Sequence, residues 1–393
     1  MWWTLWIARV ALLFIFLGWF AAFVKGIRAH LKRRWVLDAS HPAAPTGLLV
    51  SIVIPARNEE RGIRDCVVSA LNQDHSALEV IVLNDGSTDN TGLILEELQQ
   101  ENKRLKLPES DGGDLPEDWF GKPWALQRAQ RYAKGQWLLF VDADVVLGPE
   151  AVSRTVEYAR MHKLDMVTGL GTLQMDSFWE KVMQPVVGGL ILAGNSLSAV
   201  NDPEQPDKNL ANGQFILISR EAYDEIGRHA AVQNNILDDV GIARALVAHE
   251  KNYHCLYLDG LFRCRMYTSF SEIWEGWTKN LFAGLRYSVP NLVLALLFTF
   301  AFSIMGHLLF VLGALSLVNV HIVTLEFMIW GTAIMVMTQM TRGLMDHRRG
   351  MNLLYGLTHA PANVLVLLLL INSAIRSLSG TVTWKGRVYK PQK

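Results

Sequence analysis

Leu48-Leu49-Val50-Ser51-Ile52-Val53-Ile54-Pro55-Ala56-Arg57-Asn58-Glu59 is the stretch that decides the fold class. Its opening, residues 48–54, is an apolar run of strand length, suited to a strand buried on both faces. A helical pattern follows from about Glu60 to Asn72, and a second strand, Glu79 to Leu83, ends in Asn84-Asp85-Gly86-Ser87. Another helix runs from about Thr91 to Glu101. A third strand, Gln136 to Val141, ends in Asp142-Ala143-Asp144. Strand and helix in alternation predict a mostly parallel α/β sheet. Ligands of such sheets collect at the carboxyl ends of the strands, where this chain carries Asp85, Asp142 and Asp144. Asp85 in Asp-Gly-Ser is also good turn chemistry. Asp142 and Asp144 crowd two negative charges together, and Mg²⁺ or Mn²⁺ commonly joins one or two carboxylates to a substrate's phosphates.

Outward from this block the chain turns apolar. Thr4 to Val24 carries only Arg9, Asn291 to Val318 and Met351 to Ile375 carry no charge, and Val320 to Thr341 carries only Glu326. Each is long enough to span a bilayer, which takes roughly 20 residues. The first stretch is too long for a signal peptide and has no small-residue cleavage site behind it, so an uncleaved anchor is expected. Lys25, Arg28, Lys32, Arg33 and Arg34 follow it, and by the positive-inside rule the rest of the chain faces the cytoplasm. Arg342, Arg348 and Arg349 fit that orientation. Four full spans would put Lys385, Arg387, Lys390 and Lys393 outside, whereas a last segment re-entrant or kinked at Pro361 would not. Ser177 to Val200, broken by Lys181, Pro185, Gly188 and Gly189, reads as an interfacial or acceptor-lining helix, and aromatic-rich Phe270 to Tyr287 as a second surface segment. The expected organisation is therefore an anchor (1–24), a basic linker (25–45), a soluble domain (46–265), an interfacial segment (266–290), a transmembrane block (291–375) and a basic tail (376–393).

Composition narrows the function classes. The 393 residues carry 37 basic and 37 acidic side chains, which removes any general electrostatic case for nucleic-acid binding. Cys66, Cys255 and Cys264 offer neither a disulfide framework nor CxxC zinc spacing.

Four segments in order, Ser51 to Glu59, Asn84-Asp85-Gly86-Ser87-Thr88-Asp89, Gly121-Lys122-Pro123-Trp124-Ala125-Leu126 and Asp142-Ala143-Asp144, resemble family-two glycosyltransferases. The resemblance covers about residues 48–288 and implies a GT-A nucleotide-sugar-binding fold with inversion at the anomeric carbon. Anchor, catalytic domain and apolar C-terminal block together look like the membrane-bound branch acting on lipids, which includes ceramide, hopanoid-associated and carotenoid-acid glycosyltransferases. Trp384-Lys385-Gly386-Arg387-Val388-Tyr389 is similar to the Trp-Arg-Gly-x-x-Tyr tail of those enzymes. The resemblance implies that Pro55, Ala56 and Glu59 line the first nucleotide loop, that Asp85 holds uracil or ribose, that Asp142 contacts the ribose side and that Asp144 is the main metal ligand, with Asp142 beside it. Lys122 would reinforce the phosphate or sugar contact, and is otherwise a solvated lysine beside a turn. Gly213 in Asn212-Gly213-Gln214-Phe215 would let backbone approach the sugar.

Leu237-Asp238-Asp239 precedes a helical pattern and matches the family's acidic pair, whose second member, here Asp239, would be the general base. Asp238 would raise its neighbour's pKa. An N-cap with a first-turn acid has the same spacing. Two departures stand out. Gly227-Arg228-His229 replaces a family glycine pair, and Ile273-Trp274-Glu275-Gly276-Trp277-Thr278-Lys279-Asn280 lacks the Gln and Arg of the Gln-x-x-Arg-Trp segment. Lys279 would be the substitute cation; Trp274 reads as an interfacial anchor, and Trp277 is open. The expected activity is metal-dependent transfer of a hexose from a nucleotide sugar, a UDP-hexose, to a membrane lipid. A chain-extending polysaccharide synthase and a non-catalytic membrane scaffold are the competing readings.

Overall fold

The computed structural model describes residues 2–29, 34–43, 47–109, 115–315 and 322–389. Lys32, Arg33, Val318, Val320, Lys390 and Lys393 lie outside the described residues. The chain forms two compact units. One comprises Trp35–Met175, Leu192–Met266 and Thr383–Lys393; the other comprises Met1–Arg34, Asp176–Ile191 and Tyr267–Val382.

The first unit contains, among the described residues, strands β1 (Val36–Leu37), β2 (Val50–Ala56), β3 (Leu78–Asn84), β4 (Leu105–Lys106), β5 (Trp137–Val141), β6 (Val145–Leu147), β7 (Met166–Leu170), β8 (Thr172–Leu173), β9 (Phe215–Ser219), β10 (Tyr253–Leu258) and β11 (Phe262–Cys264). Eight of them make one sheet in the order β1-β10-β7-β9-β5-β2-β3-β4, and β6, β11 and β8 make a smaller one. In the large sheet β9 alone runs antiparallel to its neighbours. This is the mostly parallel α/β sheet that the alternating pattern predicts, made mixed by one antiparallel strand. β2 and β5 are buried almost end to end, as uninterrupted apolar runs require.

The first strand begins two residues later than the apolar run suggests. Leu48 and Leu49 spend their carbonyls outside the ladder, on His75 (2.8 Å) and on the Gln136 N–H (2.8 Å). The following helix is likewise shorter, Ile63–Leu71. The N–H of Glu59 donates to Thr91 Oγ1 (2.8 Å) and that of Glu60 to Asp89 Oδ2 (3.1 Å), so these residues serve a loop before a helix can start. β2 and β3 are in register down to Ala56 opposite Asn84, which sets the loops leaving them side by side.

The second unit is helical: Trp2–Ala29, Phe178–Gly194, Phe270–Gly284, Val289–Thr299 continuing through a π turn at Phe300–Ile304 into Met305–Leu315, Ile322–Arg348 and His359–Leu378. Among the described residues, three helical stretches are long and apolar enough to cross a bilayer, Trp3–Arg28, Val289–Leu315 and Leu353–Leu378. The fourth expected span starts outside the described residues and continues within Ile322–Arg348. The two charges in otherwise apolar stretches meet each other: Arg9 Nε and Nη2 donate to the two carboxylate oxygens of Glu326, each at 2.7 Å. Such a bidentate pair is how an ionised side chain is tolerated in an apolar helix. Trp277 is buried, its indole N–H on Gln184 Oε1 (3.0 Å), whereas Trp274 is half-buried against Phe270.

Candidate functional site

The strand ends of the first unit bring acids and bases together. At the end of β2, the Ala56 carbonyl accepts the Asp85 N–H (2.8 Å), while Pro55 sits one residue back, opposite Leu83 in β3. Asp85 is buried, and both its carboxylate oxygens are engaged. Arg128, from the helix Gly121–Ala129, donates to Oδ1 at 2.5 Å, and Arg387 donates to Oδ2 at 2.8 Å. Glu59 pairs with Lys385, whose ammonium also reaches the Arg57 carbonyl (3.1 Å). Burial raises the Glu59 pKa; Lys385 pulls it down, and Asp142 and Asp89 push it up again.

Beyond β5 the chain turns through Asp142 and Asp144. Lys122 forms an ion pair with Asp142 Oδ1 at 2.6 Å and points its ammonium at the Gly213 carbonyl, 3.4 Å away. It is therefore not a solvated lysine beside a turn. Burial works against its charge, but the carboxylates of Asp142, Asp238 and Asp239 together hold its pKa above the ordinary lysine value. Asp144 is the opposite case. Its carboxyl is pushed up to about 7, first by burial and then by the negative charges of Asp142 and Glu59. Its Oδ1 is buried without a hydrogen-bond partner. A buried carboxylate oxygen with nothing to satisfy it, beside two further acids, is the environment a cation relieves.

Gly213, just before β9, joins the two ends of the site. Its N–H donates to Asp239 Oδ2 at 2.8 Å, and Asp239 Oδ1 accepts the Val240 N–H, also at 2.8 Å. A Cβ at 213 would lie 2.6 Å from the Lys122 ammonium, so a side chain there would have to push the end of that lysine aside. Asp239 is pushed up to about 6 by burial and by Asp238; Lys122 and the two N–H donors pull it down. The carboxylate therefore does not act as an N-cap. Leu237 holds the N-cap position, with no side-chain cap, and Asp238 opens the helix as a buried residue.

The structure thus brings Lys122, Asp142, Gly213 and Asp239 into one chain of contacts and couples Asp144 to Asp142 and Glu59. Among the described residues no group of three or more metal-ligating side chains converges. Two carboxylates completed by substrate phosphates are the usual Mg²⁺ and Mn²⁺ arrangement, and Asp142 with Asp144 fits it. The residues that sequence reasoning did not assign are the cations on the acids, Arg128, Lys385 and Arg387. The terminal motif containing the last two was visible, but nothing local indicated what it touches. His229, in the departure from the family glycines, belongs to the core: it meets the Tyr223 hydroxyl (2.5 Å) and packs edge-on to Phe140. All three cysteines are buried free thiols.

Residues 51–227 match the family model described as glycosyl transferase family 2. A 4,4'-diaponeurosporenoate glycosyltransferase of Staphylococcus aureus is 23% identical over 293 residues, covering 74% of each chain. A mannosyltransferase from Pyrobaculum calidifontis, solved in complex with GDP-Man and Mn²⁺, superposes with a TM-score of 0.53 at 16% identity, covering 94% of this chain and 98% of that one. Residues 51–227 therefore resemble a family-two glycosyltransferase domain, and the fold is GT-A-like.

Proposed function

We propose that the protein is an inverting, metal-dependent hexosyltransferase that moves one sugar from a nucleotide sugar, a UDP-hexose, to a lipid acceptor in the membrane. The observation that carries this reading is the line of contacts from Asp142 through Lys122 and Gly213 to Asp239. It joins acids suited to a metal-bound diphosphate with a buried carboxylate whose pKa, about 6, suits a base at neutral pH.

In this reading Asp239 takes the proton from the acceptor hydroxyl as that oxygen bonds to the anomeric carbon. The bond from that carbon to the diphosphate oxygen breaks on the opposite face, and its electron pair leaves with the diphosphate. Asp144 and Asp142 would hold the divalent cation, which when bound supplies Lewis-acid neutralisation of the departing charge. Lys122 holds Asp142 in place and adds a fixed positive charge beside the phosphates, and Asp238 keeps Asp239 basic by repulsion. Arg128 and Arg387 orient Asp85 on the nucleoside side.

The apolar helices support a membrane acceptor, and the basic cluster after the anchor supports a catalytic unit facing the cytoplasm, where nucleotide sugars are supplied. The S. aureus relative's name specifies a carotenoid carboxylate, which makes an apolar hydroxyl or acid the acceptor class to test first. Purified protein in detergent, given Mn²⁺, a panel of UDP-hexoses and a lipid extract, should yield lipids heavier by one hexose residue by mass spectrometry. Products with several added residues would point to a synthase, and neither product nor donor turnover would refute the reading.

A further inference from the structure

The four acids at the strand ends pose a problem for any diphosphate donor. Glu59, Asp85, Asp142 and Asp144 repel an anion, and a divalent cation between Asp142 and Asp144 answers only half of the cluster. In the other half, Asp85 has Arg128 on one oxygen, and its second oxygen and Glu59 are met by the last described residues of the chain. Lys385 pairs with Glu59 and Arg387 with Asp85, reaching back to loops more than 300 positions earlier in sequence.

These two cations sit on a short two-stranded hairpin, β12 (Val382–Trp384) and β13 (Arg387–Tyr389), turned by Lys385 and Gly386, both at positive φ. The hairpin has a shaped seat. Tyr389 packs on Phe120 with ring centroids 4.8 Å apart. The Arg387 guanidinium occupies the space over Gly121 that any Cβ would fill, and the Tyr389 hydroxyl lies 3.2 Å from that same Cβ position. The residue after Gly121 is Lys122, so one helix N-terminus seats the tail and holds Asp142.

Exposure separates the cations. Arg128 is sealed, with 4% of its side chain exposed, whereas Arg387 retains 21%, Lys385 29% and Lys122 33%. A guanidinium has five N–H donors, and Asp85 and the Tyr389 hydroxyl occupy only part of that capacity. We propose that the terminal hairpin is a donor clamp, in which Arg387 and Lys385 supply the cationic side of a nucleoside-diphosphate site opposite the metal carboxylates. This rests on the glycosyltransferase reading above. It also gives the chain a cation where its sequence lacks the Arg of the Gln-x-x-Arg-Trp segment.

The test is UDP binding, with GDP in parallel, to the full chain in detergent by calorimetry with Mn²⁺ present. Arg387→Ala, Lys385→Met and a chain ending at Val382 should each weaken nucleoside-diphosphate binding, Arg387→Ala by roughly 10- to 100-fold, as expected for a charge-assisted contact. Arg387→Lys should recover part of the loss, and melting temperatures establish that each variant is folded. In steady state the donor KM should rise with Kd while kcat at saturating donor stays within about threefold, the sign of binding shared by ground and transition states. Unchanged affinity in Arg387→Ala and in the shortened chain overturns the clamp. Tighter binding in either also overturns it, and makes the hairpin an inhibitory plug. Absence of binding to the unmodified chain would instead refute the nucleotide-sugar reading itself.

Discussion

Replacing Asp239 by Asn separates chemistry from binding most cleanly. The carboxylate accepts two backbone N–H groups, Gly213 on one oxygen and Val240 on the other, each at 2.8 Å. Asparagine has one carbonyl oxygen, so one of these N–H groups must face an amide NH₂. That leaves a buried donor unsatisfied, at a cost of about 1–3 kcal/mol in stability. The loss in catalysis should be larger. Removing a general base costs about 10²–10⁴ in rate, or about 2.7–5.5 kcal/mol in barrier, and should fall on kcat rather than on donor affinity. The pH profile gives an independent signature. A base works only when ionised, and burial beside Asp238 has raised this one to about 6. The unmodified enzyme should lose about tenfold in kcat per pH unit below 6 and plateau above it, and Asp239→Asn should lack that acid limb. With a carboxylic-acid acceptor, ionised already, both effects should shrink. The assay is donor turnover against a hydroxyl acceptor from pH 4.5 to 8, with donor Kd measured separately. Full kcat in Asp239→Asn together with its loss in Asp238→Asn would refute the assignment and reverse the pair.

Three further outcomes follow from the geometry. EDTA should abolish transfer and Mn²⁺ or Mg²⁺ restore it, while Asp144→Ala should lose the Mn²⁺-dependent part of UDP affinity in calorimetry; full activity in excess chelator would remove the metal from the mechanism. Glu326→Leu strands Arg9 in an apolar helix and should lower the melting temperature in detergent, whereas Arg9→Leu with Glu326→Leu should recover most of it. Cysteines placed at Lys103 and at Val388, both exposed, should behave alike: protected from a membrane-impermeant thiol reagent in intact cells and labelled after the membrane is opened, against a background of three buried native thiols. Labelling of Val388→Cys alone in intact cells would contradict the contacts of Lys385 and Arg387 with the catalytic strands.

The architecture was legible wherever it is written locally. Uninterrupted apolar runs marked β2 and β5, and the carboxylates after β3 and β5 were placed correctly because a strand end is a feature of a few consecutive residues. Element starts were less legible: the helical pattern begins at about Glu60, but loop hydrogen bonds from Glu59 to Thr91 and from Glu60 to Asp89 hold the chain there, and the helix starts at Ile63. The ambiguity at the acidic pair was physical as well, since a capped helix with a first-turn acid and a base share one pattern: both acids do lie in the first turn, Leu237 takes the N-cap position, and the Gly213 N–H on Asp239 is a contact no local pattern reports. Arg128, Lys385 and Arg387 act through contacts that pattern cannot report. A basic residue in a helix or a tail reads as surface until the chain's return brings it to an acid. What counting spans left open is where the tail packs: Lys385 and Arg387 touch Glu59 and Asp85, so it lies against the strand ends of the large sheet.

The seat of the hairpin also bears on the order of assembly. Synthesis runs from the N-terminus, so the sheet carrying Glu59, Asp85 and Asp142 is made well before the residues that neutralise two of those acids. Lys385 and Arg387 follow the apolar helix His359–Leu378 in sequence, so they reach Glu59 and Asp85 only after that helix has been made. Until then Glu59 lacks its Lys385 partner and Asp85 has Arg128 alone. On the proposed function, a chain cut short before residue 385 would carry an excess of negative charge at these strand ends and bind a diphosphate donor less well.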